Sequence, residues 1–173
     1  MIVVVINGAA ESGKDKFIRY IKQNENYDYT TINLSTIDPS KEALKILGWN
    51  GVYKTEETRQ AMVDLKRISM KLFNGPFKHI VEQIKGISQL TTKTNWVIFV
   101  HCREPEEIQK LVDYYKRECI TLLIRSSRGK ALKNGSDDVV ENYDYDHIID
   151  NNETQDILKN KAIDFANKHL IQE

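Results

Sequence analysis

Lys14, which follows Ser12-Gly13 and precedes Asp15, is the first place where residue types and spacing point to chemistry. The stretch Gly8-Ala9-Ala10-Glu11-Ser12-Gly13-Lys14-Asp15-Lys16 lies between the apolar run Ile2 to Ile6 and a segment with Phe17, Ile18 and Ile21 at helical spacing. Strand, glycine-bounded loop, lysine and helix is an arrangement that binds phosphate. Gly8 and Gly13 allow the loop to turn its N–H groups inward, the helix start adds positive dipole, and Lys14 adds a full charge. The whole stretch is therefore a candidate nucleotide-binding site. The residue after such a lysine is usually Ser or Thr, whose hydroxyl ligates Mg²⁺; here it is Asp15. A carboxylate is also a hard oxygen ligand, able to hold Mg²⁺ directly or through water. The alternative for Asp15 is an acid placed favourably at a helix start.

Cationic side chains recur where other apolar runs end. His101-Cys102-Arg103-Glu104 follows Trp96 to Val100, and Arg103 has the planar fork suited to two-pronged phosphate contact. His101 can bond a phosphate or a metal-bound water, or simply be a satisfied hydrogen-bonding residue. Glu104 and Glu106 read as helix-start acids, with Mg²⁺ ligation the alternative for Glu104. Arg125-Ser126-Ser127-Arg128-Gly129-Lys130 follows Ile120 to Ile124. Two arginines three apart at the start of a loop suit phosphoryl transfer, in which charge spreads over the transferred oxygens. Lys54 and Arg59 flank the start of a further helix and are candidates for gripping an acceptor's phosphate, or are solvated charges. The sequence holds no Ser-His-Asp order and no metal-ligand cluster.

The elements that must position these groups alternate in type. Strands are expected at Ile2–Ile6, Tyr29–Leu34, Trp96–Val100, Ile120–Ile124 and Tyr145–Ile149, each rich in β-branched or aromatic residues. Helices are expected from Lys14, from Lys41 behind a Ser40 cap, and from Thr55 to about Phe73 with Ala61, Leu65, Ile68 and Leu72 at helical spacing. Others follow through Phe77 to Ile84, from Glu104 through Tyr115, and after an Asn152 cap. The predicted fold is α/β: a five-stranded, mostly parallel sheet with helices on both faces, in the three-layer P-loop arrangement, over one domain spanning 1–173. A helical insert at about 36–92 borders the acceptor, and 125–145 reads as a short mobile lid. Ligands bind at the carboxyl ends of strands in such sheets, so the three cationic loops should share one crevice.

Composition narrows the class. Of 173 residues, 40% are hydrophobic and 29% charged, and the net charge is zero, so nothing draws the protein as a whole to nucleic acid or an anionic membrane. Met1 leads straight into the first strand, which predicts no cleaved targeting segment. Cys102 and Cys119 lack metal or redox spacing and read as reduced thiols of a cytoplasmic protein. Small-molecule nucleotides are the expected partners, and a homodimer stays open.

Assembled, these features resemble the nucleoside monophosphate kinases, and most closely the bacteriophage-type deoxynucleoside monophosphate kinases. Ser12-Gly13-Lys14-Asp15 looks like that family's loop ending, where Asp commonly replaces Ser or Thr. Ile37-Asp38-Pro39-Ser40-Lys41-Glu42-Ala43 is similar to the segment that borders the acceptor nucleotide. Val100-His101-Cys102-Arg103 resembles the family's strand-end Asp-x-Arg, with His101 where Asp is expected. Asp137 to Glu141 and Asp146 to Glu153 are similar to the lid and last strand, with Glu153 replacing a common Gly. The resemblance implies Mg²⁺-dependent phosphoryl transfer from ATP to a nucleoside or deoxynucleoside monophosphate. Lys14 and the loop amides would hold ATP phosphates, Asp15 the metal, Asp38 and Arg103 the acceptor, and Arg125 and Arg128 the donor and the transferred group. Phosphomevalonate kinases of metazoan type share the Gly-Lys-Asp ending, so a kinase for another phosphorylated metabolite is the second reading. A nucleotide-binding regulatory protein that transfers nothing is the third.

Overall fold

The computed structural model describes residues 1–24, 28–90, 95–127 and 139–171. Ile2–Asn7 forms β1, and all six residues are buried, as expected of a strand covered on both faces. Its alternation sends Ile2, Val4 and Ile6 to one side and Val3 and Val5 to the other. The first side packs on α1 (Lys14–Lys22) through Phe17, Ile18 and Ile21, and on α6 (Gln155–His169) through Leu158, Ala162 and Phe165. The second packs on α4 (Gly75–Leu90) through Ile80 and Ile84, and on α5 (Pro105–Tyr115) through Ile108 and Leu111.

The remaining strands are β2 (Thr30–Ser35), β3 (Trp96–His101), β4 (Cys119–Arg125) and β5 (His147–Asp150). All pair in parallel, in the order β2-β3-β1-β4-β5, with Val4 of β1 opposite Phe99 on one side and Ile120 on the other. Helices on both faces of this sheet and a glycine loop between β1 and α1 give the predicted three-layer P-loop arrangement. The order reverses at β1, which opens a crevice beyond the carboxyl ends of β1, β3 and β2. Two further helices, α2 (Asp38–Ile46) and α3 (Glu56–Phe73), join α4 to span the interval between β2 and β3. Among the described residues no helix is long and apolar enough to cross a membrane.

Several local expectations are corrected. Ser40 is not a cap: α2 begins at Asp38, with Pro39 in the first turn where its fixed φ suits a helix start, and Ser40 is buried inside it. The inward face of α3 is not Ala61, Leu65, Ile68 and Leu72. Met62 and Lys66 are buried, whereas Ile68 and Leu72 are 53% and 62% exposed. Polar bonds of Lys66 set that rotation of the helix. Thr154, not Asn152, caps α6 by accepting from Ile157 N; Asn152 Oδ1 accepts from Ser127 N at 2.7 Å instead. Of the lid expected over 125–145, residues 128–138 lie outside the described residues. Its last part is packed, with Val140 and Tyr145 buried.

Candidate active site

The glycine loop is braced from three directions. Asn7, buried at the end of β1, accepts from Gly8 N through Oδ1 at 2.8 Å. Its Nδ2 donates to Arg103 O at 3.2 Å and to the Tyr145 hydroxyl at 2.6 Å, which donates in turn to Val140 O. Asn151, just beyond β5, donates to Ser12 O at 2.8 Å. Gly8 cannot carry a side chain, because a Cβ would lie 2.5 Å from Ile124 O. Gly13 sits at φ 99°, in the left-handed region, as the N-cap of α1 without a side-chain cap. The positive end of the α1 dipole therefore meets the loop with no side-chain cap over it. Lys14 Nζ donates to Gly8 O and Ala9 O, each at 3.1 Å, which folds the ammonium over the loop.

A cavity of about 380 Å³ lies between this loop and the α2–α3 helices. Lys14, Asp15, Lys54, Arg59 and Arg103 line it together. Asp38 does not; it pairs at 2.6 Å with Lys41, which does. Arg125 stands apart from the cavity, its Nε bound to Asp150 at 2.8 Å with Glu141 nearby. That pairing holds the guanidinium more firmly protonated than usual, Asp150 being the main cause. Arg128 lies outside the described residues. Lys16 is exposed on α1, and Gly8 is buried beneath the loop.

Cations outnumber acids here: Lys14, Lys41, Lys54, Arg59, Lys66 and Arg103 face Asp15 and Glu104. Partial burial, then the charges of Lys41 and Arg59, lower the Lys54 pKa, a sign that these cations crowd one another. His101 is held below its usual pKa by burial, against the pull of Asp15, so it is neutral at pH 7. Its Nε2 lies 4.0 Å from Asp15 Oδ1. Burial pushes the thiols of Cys102 and Cys119 up to about 12, which leaves neither as a nucleophile.

Two contributors escaped the sequence reading. Asn7 is a polar residue ending an otherwise apolar buried strand, a signal that could have marked it. Lys66 is buried in the cavity wall, paired with Glu104 and donating to Thr36 Oγ1 at 2.7 Å. Its spacing from Met62, one helical turn away, could have flagged it only if the inward face of α3 had been known. Glu104, expected to be a helix-start acid, is the N-cap of α5 but makes no side-chain cap bond.

Among the described residues no group of three or more His, Cys, Asp or Glu side chains could hold a metal ion. Asp15, a hard oxygen donor, is largely exposed at the cavity wall. The fold is a three-layer α/β sheet in the P-loop arrangement, with a glycine loop between β1 and α1. No family model and no curated protein matches the sequence. Among solved structures, the chain is similar to a mutant APS kinase of Mycobacterium tuberculosis, at 11% identity and a TM-score of 0.48 over 96% of each chain.

Proposed function

We propose that this protein is a kinase that transfers the terminal phosphoryl group of ATP to a nucleoside or deoxynucleoside monophosphate. One observation carries the reading: the loop lysine and acid share a single cavity with Arg103, Arg59, Lys54 and Lys41. A nucleotide-binding loop alone needs Lys14 and the helix start. The further cations lining the same cavity suit a second phosphorylated molecule, held where it can meet the first.

ATP·Mg²⁺, when bound, supplies the transferable group and the charge of the metal. Gly8 to Lys14 would hold its phosphates and Asp15 its metal. Arg103 would orient the acceptor's phosphate with its fork, and Lys41, Lys54 and Arg59 would offset its charge. Lys14 would stabilise charge on the oxygens in transit. Neutral His101 adds no further positive charge beside Asp15. Arg125 and Arg128 would serve the donor side, as the family resemblance implies. The cation cluster reads phosphate rather than base, so a kinase for another small phosphorylated metabolite is the second reading. The test is ADP production from ATP·Mg²⁺ against a panel of ribo- and deoxyribonucleoside monophosphates and other phosphorylated metabolites. Turnover dependent on a monophosphate supports the first reading, and turnover with a non-nucleotide acceptor alone supports the second.

A further inference from the structure

Glu104 heads α5, yet its carboxylate accepts nothing from that helix; only its backbone carbonyl does, from Glu107 N and Ile108 N at 3.0 Å each. The side chain turns across the cavity instead, where one oxygen, Oε2, is taken by the ammonium of Lys66 on α3. Lys66 is 5% exposed, and its Nζ also donates to Thr36 Oγ1, which donates in turn to His101 O at 3.2 Å. The ammonium thus fastens Glu104 to the ends of β2 and β3. Without Glu104 the buried Lys66 ammonium would lose its counter-charge, and this pairing keeps the half-buried carboxylate in one place. Its other oxygen, Oε1, has no donor among the described residues, and Glu104 lines the cavity beside Arg103. A fixed carboxylate in a cationic cavity repels a bare phosphate and attracts an O–H or N–H group.

We infer that Glu104 is a specificity residue of the acceptor site, with Lys66 as its positioning residue, and that the acceptor carries an O–H or N–H donor which Glu104 Oε1 receives while the cations hold its phosphate. This deepens the phosphorylated-acceptor reading and rests on it. Sugar hydroxyls and base amines share the required chemistry, whereas an ester with an apolar organic part lacks it.

The test uses the full chain and measures both binding and turnover. Ribo- and deoxyribonucleoside 5′-monophosphates of each base, ribose 5-phosphate and phenyl phosphate are compared on wild type, Glu104→Gln, Lys66→Arg and Lys66→Met. Glu104→Gln keeps the shape but presents an NH₂ group where an acceptor oxygen stood. Its Kd and KM for the preferred monophosphate are expected to rise about 10- to 100-fold, the loss of one hydrogen bond to a charged group. ATP affinity should hold, and phenyl phosphate should bind as well as before or more tightly, since a repelling charge is gone. Lys66→Arg should stay near wild type, and Lys66→Met should follow Glu104→Gln. Loss confined to ribonucleotides assigns the donor to the 2′-hydroxyl; loss confined to amino bases assigns it to the base. An unchanged KM in Glu104→Gln, or an equal loss for phenyl phosphate, overturns the inference while leaving the kinase reading intact. A wild type that accepts no phosphorylated molecule overturns both, and that result appears without any variant. If Lys66→Met does not fold, Glu104→Gln and Lys66→Arg decide.

Discussion

A methyl group at position 8 would strike the backbone of the neighbouring strand. In Gly8→Ala the new Cβ would lie 2.5 Å from Ile124 O and 2.5 Å from Ser12 Oγ. The serine hydroxyl can rotate away, but the Ile124 carbonyl cannot, because Ile124 is held in register with Ile149 of β5. The contact must be relieved by shifting the loop off the sheet. Overpacking of this kind costs roughly 1–3 kcal/mol, and a rigid backbone partner places this case near about 3 kcal/mol. In a chain of this size each kcal/mol moves Tm by roughly 2–4 °C, so a fall of about 6–12 °C is expected. ATP affinity should fall with it, because the loop that moves is the proposed ATP loop. Gly86→Ala is the matched control: Gly86 lies exposed inside α4, where a Cβ meets nothing within 4 Å. It should stabilise by roughly 0.5–1 kcal/mol through helix propensity alone. Thermal unfolding followed by circular dichroism, with calorimetric ATP titration, reads both variants. A Gly8→Ala protein that melts with the wild type and binds ATP equally well would refute the close-approach argument.

Arg103→Ala should raise the acceptor KM strongly, lower kcat to a lesser degree and leave ATP affinity almost unchanged, with Arg103→Lys rescuing only part. Loss of ATP affinity at constant acceptor KM would move Arg103 to the donor side. Asp15→Ala should weaken the Mg²⁺ dependence of turnover more than metal-free ATP binding; if neither changes, Asp15 is a helix-start acid and no more. The protein should also lose stability as pH falls. Burial depresses the folded-state pKa of His169, and His147 beside it, its ring 4.1 Å away, adds to the shift. Burial depresses that of His101 in the same direction. The unfolded chain therefore takes up protons first, so this stability is fully present above about 6.5 and declines below it. Tm measured from pH 7.5 to 5.5 at constant ionic strength, without metal, should drop, and His169→Gln should drop less; a flat wild-type profile contradicts it.

The sheet and its central strand could be read directly because they depend on local pattern. Ile2 to Ile6, Trp96 to Val100 and Ile120 to Ile124 are unbroken apolar runs, and burial on both faces is what such runs are for. The shape of the loop could be read because its turn from strand to helix needs residues free to take positive φ, as Gly8 and Gly13 do. What escaped depends on contacts far apart in the chain. The rotation of α3 is set by Lys66 meeting Glu104, 38 residues on, so the apolar stripe Leu65, Ile68 and Leu72 pointed the wrong way. Two helix starts were misplaced, by three residues at α2 and two at α6, since Ser40 and Asn152 are good caps in isolation. Asn152 is used by Ser127, across the β4–β5 pair. Tyr145 reads as the start of a strand; its hydroxyl instead closes a bond to Asn7, 138 residues earlier.

The central claim is phosphoryl transfer between two phosphorylated molecules in one cavity, and product analysis tests it most directly. Purified protein is incubated with γ-labelled ATP, Mg²⁺ and each nucleoside monophosphate in turn, and the label is followed into the acceptor. The account predicts labelled nucleoside diphosphate formed one-for-one with ADP for at least one acceptor. It also predicts loss of that product in Lys14→Ala, which removes a loop lysine but no core contact and so should stay folded. A wild type that binds ATP yet labels no phosphorylated acceptor, or a folded Lys14→Ala that labels it at the wild-type rate, contradicts the account.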